Sequence, residues 1–456
     1  MDQKLCNYLL YKLYHPKNIK YLHYDLFQNI KLDKKDSNIK VGLINVACKG
    51  FGDIINCKTF SDYLKSWYPN IKFSICTSSP EKFKSLGIST NKLTKIEAHF
   101  FDPDEGSECQ PFSNLKFSGK VPKFDLIIVV PMVGAGGEQF SIREFKKFIP
   151  YATEYNTFTV SEYNGDYPPY TFPTGIGKHQ LGLMLTDMKI KKHNLIKGPY
   201  ALAYTAGHDT GCATHTNLCI LSFIELICNK YKDKKKLQLI IPPWFCSGDK
   251  ESEISLLTSP QLKKRCANII KKYFGISYLV LKGDTYSENS SQINIVNTGK
   301  NKNEFILRGD ILPKPREEFI SLIKYSLPDV LLTGDQSLTD GIAYSNSKKI
   351  IWYQVCGWKI DLAHQLAKEV NNKYLDNFRT SCGTLKGLHI NQDNKKLIKN
   401  NDFRKKGKVR MDSILKFHSL RNEPLIKILI ECINHSRTKE STMKKFIKQV
   451  KLKYKL

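Results

Sequence analysis

Two glycines and an acid close a short apolar run in Lys49-Gly50-Phe-Gly52-Asp53, and their types and spacing suit them to holding an anionic group. Glycine lets the backbone come close to a ligand, and a helix that starts just after offers unpaired N–H groups to phosphate or carboxylate. The plainer alternative is a tight strand-to-helix turn. A dinucleotide fingerprint fits poorly, because the third glycine position of G-x-G-x-x-G falls on Ile55. Two later clusters also set polar groups beside permissive backbone: Met132-Val-Gly-Ala-Gly136-Gly137-Glu138-Gln139 and Pro173-Thr-Gly-Ile-Gly-Lys-His179. His179 is a candidate for binding acceptor or phosphate, or else simply faces solvent.

These residues need elements to carry them. Lys40 to Ala47 is apolar and β-branched and reads as a strand; Ile54 to Tyr68 carries apolar residues at helical spacing; Pro69-Asn70 stops it; Ile71 to Cys76 is the next strand. This βαβ unit is expected to repeat in altered form near Leu331. Phe124 to Pro131 is a nearly continuous apolar run, the pattern of a strand covered on both faces in a parallel sheet. Its C-terminal end empties into the Gly136-Gly137-Glu138 loop, where open α/β sheets place ligands. Tyr151 to Gly182 is rich in aromatics, Gly and Pro and reads as too irregular for a core layer, either a loop facing a cleft or a packed surface loop. Beyond Lys191 strands and helices alternate again: a strand at Pro199–Tyr204, a helix over 216–231, strands at 236–241, 276–281 and 305–310, a helix over 316–325, and strands at 329–333 and 349–353. The simplest architecture is two doubly wound parallel-sheet domains facing across a cleft, at residues 1–195 and 196–394. A basic helical tail, 395–456, follows, with helical patterns over 411–420 and 423–435.

Composition narrows the classes. The charge of +28 points to anionic partners, but residues 395–456 hold 19 basic and 5 acidic residues, so half the excess sits in the tail. An anionic surface is therefore a candidate partner for the tail. The body lacks a zinc finger, an RRM-type aromatic signature or a long basic stripe, so nucleic acid is not expected as the main substrate. The 13 cysteines are dispersed and never form C-x-x-C, the usage of reduced thiols in a cytoplasmic setting. No apolar run is long enough for a transmembrane segment, and the N-terminus does not read as a secretory signal. Asp102-Pro-Asp104 superficially matches a D-x-D metal motif, but its surroundings suggest an exposed turn; no metal and no cofactor is expected.

Two segments together resemble a known family. Gly52-Asp53, a helix closing on Trp67-Tyr68-Pro69 and the strand Ile71–Cys76 are similar to the opening of the heptosyltransferase-like glycosyltransferases of GT-B fold (glycosyltransferase family 9). Asp329-Val-Leu-Leu-Thr-Gly-Asp335-Gln-Ser337-Leu-Thr-Asp-Gly-Ile-Ala343 resembles that family's late motif, with Asp340 where a His is usual and Gln336 intervening. The resemblance implies two Rossmann-like domains, a nucleotide-sugar donor on the second and a glycan or other hydroxyl acceptor on the first. Asp53 would then be the base, with Glu138 (and Glu154 or Glu162) in reserve, although an N-cap role for Asp53 is the structural alternative. The departing diphosphate would be held by Gly207-His208 and by Gly334-Asp335-Gln336-Ser337 ahead of a helix at 339–344, with Arg308 as a fixed cation or a surface ion pair. Polysaccharide pyruvyl transferases are similar in fold and also open on a Gly-Asp turn. A non-catalytic nucleotide- or glycan-binding protein, and an adaptor for RNA or a membrane surface, are the rivals from other classes.

Overall fold

The computed structural model describes residues 39–47, 51–98, 111–131, 141–153, 156–165, 171–205, 213–247, 255–256, 258–274, 280–282, 292–296, 303–355 and 359–420. The first lobe comprises β1 (Lys40–Asn45), α1 (Gly52–Trp67), β2 (Lys72–Thr77), α2 (Pro80–Ser85), β3 (Leu93–Ala98), β4 (Leu115–Phe117), β5 (Leu126–Val129), α3 (Ile142–Phe148), β6 (Thr157–Val160) and β7 (Thr171–Phe172). Its seven strands lie in the order β4-β3-β2-β1-β5-β6-β7, all parallel except β4. Setting β4 aside, the parallel strands run 3-2-1-4-5-6, so the winding direction reverses between β1 and β5.

The second lobe follows with β8 (Tyr200–Ala203), α4 (Ala213–Lys230), β9 (Lys236–Ile240), α5 (Pro243–Ser247), α6 (Pro260–Phe274), β10 (Val280–Lys282), β11 (Gln292–Val296), β12 (Glu304–Arg308), α7 (Arg316–Tyr325), β13 (Asp329–Leu332), α8 (Asp335–Tyr344), β14 (Ile350–Tyr353), α9 (Ile360–Glu369), β15 (Leu375–Arg379) and β16 (Thr384–His389). The order is β10-β11-β12-β9-β8-β13-β14-β16-β15. Its parallel core, β12-β9-β8-β13-β14, reads 3-2-1-4-5 in chain order and reverses between β8 and β13. The topological counterpart of β1 is therefore β8. The unit around Leu331 corresponds instead to β5, which corrects the expected repeat: similar apolar runs arise wherever a strand is buried on both faces, whatever its place in the winding.

Each sheet is covered on both sides. In the first lobe Phe60, Tyr63 and Leu64 of α1 pack on one face, while Phe112, Phe117, Phe145 and Phe148 fill the other. In the second, α4 and α6 cover one face and α7, α8 and α9 the other. The described cysteines are free thiols, five of them buried. Burial pushes Cys76 and Cys266 up to about 12, which leaves them as unreactive core groups.

Two expectations fail here. The segment 151–182 contributes β6 and β7 to the first sheet, and Thr157 to Val160 are all buried. The β-branched, aromatic tetrapeptide Thr-Phe-Thr-Val carried that signal, masked by its glycine-rich and proline-rich flanks. The boundary of the tail also differs from the expected one. Helix α10 (Gln392–Asn400) spans the expected boundary at 394/395 and packs on the second lobe through Ile398, whereas α11 (Phe403–Leu420) returns to the first lobe and buries Phe403, Met411, Ile414 and Leu415 there. The crossing is fastened at Leu183, whose N–H donates to Asn401 O and whose carbonyl accepts from Phe403 N. Gly182 permits it, since a Cβ there would lie 2.1 Å from Asn401 O. The helical pattern over 423–435 lies outside the described residues.

Lys349 anchors the turn that leads into β13. It is 2% exposed, and its Nζ donates to Ser326 O, Ser326 Oγ and Leu327 O. Burial pushes the ammonium down to about 7, with Asp329 opposing. In the unfolded chain a lysine keeps its proton to about 10.4, so between these values the unfolded state binds the extra proton and stability rises with pH. Lys349→Met is expected to flatten the pH–stability profile from about 7 to about 10 in denaturation experiments. An unchanged slope would assign that dependence elsewhere.

Candidate functional site

Open α/β sheets bind ligands at the carboxyl ends of their parallel strands, near the reversal of strand order. At that edge of the first lobe Asn45, at the end of β1, donates through Nδ2 to Val130 O (2.9 Å) and Asp53 O (3.2 Å), and its Oδ1 accepts from Thr77 Oγ1 (2.9 Å). One buried amide thus ties the ends of β1, β2 and β5 to the start of α1. Asp53 is half-buried and is the second residue of that helix, whose N-cap is Phe51. Its carboxylate therefore sits in the first turn, where the helix dipole favours an acid, and does not serve as the N-cap. Gly52 faces open space: a Cβ there would meet nothing within 4 Å.

At the matching edge of the second lobe, Gly334 has φ of +77° and caps α8, which begins at Asp335. The helix starts four residues earlier than expected, so Asp335, Gln336 and Ser337 form its first turn. An acid in a first turn is a favourable start that the 3.6-residue apolar pattern does not register. Thr205 Oγ1, buried just past β8, has no hydrogen-bond partner among the described residues.

The two edges meet. Asp335 Oδ2 accepts from Tyr163 N (2.8 Å), three residues beyond β6, and from Lys359 Nζ (2.8 Å), which precedes α9. Lys359 Nζ also donates to Glu162 Oε2. The lysine side chain is 5% exposed, Asp335 14% and Glu162 32%, so the cluster is closed on the second-lobe side and open at Glu162. Burial raises the Asp335 carboxyl, with Lys359 opposing and Glu162 adding to the rise. Burial alone would lower the Lys359 ammonium, but the two carboxylates more than reverse this and hold it charged. Asp335 Oδ1 is buried with no hydrogen-bond partner among the described residues. Behind the cluster, Tyr163 OH receives bonds from Met184 N and Thr339 Oγ1, Tyr63 of α1 donates to Leu185 O, and Tyr344 of α8 to Thr186 O. The segment linking the lobes is thus held between α1 and α8.

The other expected residues fall as follows. Gln336 is buried and donates to Asp340 Oδ1, and Asp340 takes a two-pronged contact from Arg316 (3.1 and 2.8 Å); both residues are committed to packing. Ser337 is half-buried. Arg308 is paired with Asp310 through two bonds (2.6 and 2.5 Å) and with Gln238 (3.0 Å), the ion-pair alternative. His179 is exposed in the turn after Gly177. Gly50, Gly136, Gly137, Glu138, Glu154, Gly207, His208, Asp102 and Asp104 lie outside the described residues. Lys359 escaped sequence reasoning, although a lysine soon after a buried strand, Ile350–Tyr353, is a signal that would have marked it.

The start of α8 is a poor diphosphate site. Its first residue is a carboxylate and a second carboxylate stands beside it, so two negative charges face one positive charge where a further anion would have to bind. The reversal point of the second sheet lies between β8 and β13, and residues 206–212, which follow β8, lie outside the described residues. No group of three or more His, Cys, Asp or Glu side chains gathers among the described residues, and none of their helices is long and apolar enough to cross a membrane. No protein-family model matches the chain, and comparison with curated proteins finds no match.

Proposed function

We propose that the protein is a GT-B-type glycosyltransferase that moves a sugar from a nucleotide-sugar donor to a hydroxyl acceptor, with backbone amides rather than a metal balancing the departing diphosphate. The observation that carries this reading is the meeting of the two strand-end edges: residues just past β6 bond directly to residues just past β13 and β14. A reaction between two bound molecules gains most when each lobe holds one of them and the reacting atoms lie at the junction. The return of α11 to the first lobe favours the same reading, because it fastens together two lobes that would each hold one reactant. In this scheme Gly207 and His208, which precede α4 in the sequence, and the N-terminus of α4 take the diphosphate. Asp53 and Glu162 are the carboxylates at the acceptor edge.

A thermal-shift screen of UDP, GDP, ADP and their sugars tests this. One base is expected to raise the melting temperature by about 3 °C at 100-fold excess over its dissociation constant, which corresponds to about 2.7 kcal/mol against an unfolding entropy of about 2.1 cal/mol/K per residue. Turnover of the matching sugar nucleotide is expected to survive EDTA. A protein that no nucleotide stabilises, or one whose activity needs manganese after chelation, is not the enzyme proposed.

A further inference from the structure

Transfer to a hydroxyl requires an oxygen that takes the hydroxyl proton as the new bond forms, and that oxygen has to stand where the two lobes meet. Asp53 lies at the first lobe's edge, where its backbone carbonyl accepts from Asn45 Nδ2. Glu162 lies at the junction itself. Its Oε2 is held by Lys359, while Oε1 takes no hydrogen bond from any described residue, and the side chain is about one-third exposed to an approaching ligand. The cluster is also short of donors. Its two carboxylates present four oxygens, served among the described residues by the Lys359 ammonium and the Tyr163 amide, and Asp335 Oδ1 has no partner among them. A hydroxyl, which can donate, complements such a site; a phosphate, which at neutral pH mainly accepts, does not.

We propose that Glu162 accepts the proton of the acceptor hydroxyl and that Lys359 is the positioning residue that aims it, an inference that rests on the glycosyl-transfer reading. In the step, the hydroxyl oxygen bonds to the anomeric carbon of the donor, the bond from that carbon to the diphosphate oxygen breaks, its electron pair leaves with the nucleoside diphosphate, and the proton passes to Glu162 Oε1. Lys359 contributes by geometry. One ammonium pinned to both Glu162 Oε2 and Asp335 Oδ2 turns the free oxygen to a single direction, and does so only while the second lobe is docked.

The test uses the full chain and the hydrolysis of UDP-glucose, GDP-mannose or ADP-glucose, with water as acceptor, alongside binding of the corresponding diphosphate. Glu162→Gln is expected to lower kcat by about 100-fold or more while the diphosphate dissociation constant stays within about twofold. Glu162→Ala is expected to regain part of the rate in added formate, a small carboxylate that can occupy the vacated space. Lys359→Met is expected to lower kcat without weakening diphosphate binding, and Lys359→Arg to restore most of it. If Glu162→Gln keeps the wild-type kcat, or loses rate and nucleotide affinity in parallel with no formate response, Glu162 is only a fastener between lobes and the inference falls. If the wild-type protein binds no diphosphate at all, the glycosyl-transfer reading has failed first.

Discussion

Asp329→Ala is expected to destabilise the second lobe by about 3–5 kcal/mol, among the largest effects of any single substitution in this chain. Asp329 is 1% exposed at the first residue of β13. Its carboxylate accepts from Lys230 Nζ (2.8 Å), Tyr231 OH (2.7 Å) and Trp352 Nε1 (2.8 Å), so three donors from α4, its following turn and β14 converge on it. Alanine strands the buried indole N–H and leaves the lysine, whose Nζ lies 5.5 Å from the Trp352 ring centroid, without its counter-charge. Asn fills the same space but offers one accepting oxygen to three donors, so Asp329→Asn is expected to fall between alanine and wild type. The exposed pair Lys58–Asp62 provides the contrast: Asp62→Ala there is expected to change stability by about 0.5 kcal/mol or less. Hydrogen exchange of the Val330–Leu332 amides is the direct measure, expected to accelerate on the order of 10²–10³-fold in Asp329→Ala. A change equivalent to less than about 1 kcal/mol would mean that the three donors find other partners. The consequence reaches the junction, because β13 runs straight from Asp329 to the Gly334 turn that presents Asp335.

The elements that sequence reasoning placed well are those with a strong local signature. Val41 to Ile44, Leu126 to Val130 and Val330 to Leu332 are unbroken apolar runs because both faces of their strands are covered, and this is visible without any partner. Edge elements are harder to read. Leu375–Arg379 offers only Leu and Phe among polar residues, since one side of the β15–β16 hairpin faces solvent, and it was not foreseen. The start of α8 was misplaced for a related reason: Asp335 and Gln336 are buried by polar contacts, which an apolar pattern cannot report. The junction lay furthest from view. Glu162 and Lys359 are 197 residues apart in the chain, and nothing in either neighbourhood names the other. Asp53 and the Gly334 turn were legible as edge residues, because glycine next to a strand end is a local feature, but which carboxylate meets the opposite lobe depends on how the two sheets dock.

Phe403→Ala is expected to cost about 3–5 kcal/mol, and its location makes it a test of how the lobes are joined. The ring is fully buried against α1 and β7, with centroids 6.0 Å from Phe60 and Tyr63 and 6.3 Å from Trp67 and Phe172. Removing it leaves a cavity among four aromatic rings that are themselves fixed by the sheet, so little collapse can refill the space. If α11 is part of the first lobe's core, exchange protection is expected to fall along residues 59–67 of α1, while Val330–Leu332 in the second sheet stay protected. Equal loss in both sheets, or in neither, would be incompatible with that placement. A second readout follows from the chain path. Only Asn401 and Asp402 separate α10 on the second lobe from α11 on the first, Leu183 bonds to Asn401 and Phe403, and the aromatic anchor fastens the first-lobe end of this crossing. With Phe403 gone the crossing loses its hold on the first lobe, and the Tyr163 amide, whose bond to Asp335 spans the junction, is expected to exchange faster as well. A Tyr163 amide that keeps its protection in the variant would show instead that the Glu162–Lys359–Asp335 cluster holds the lobes together without help from the helix.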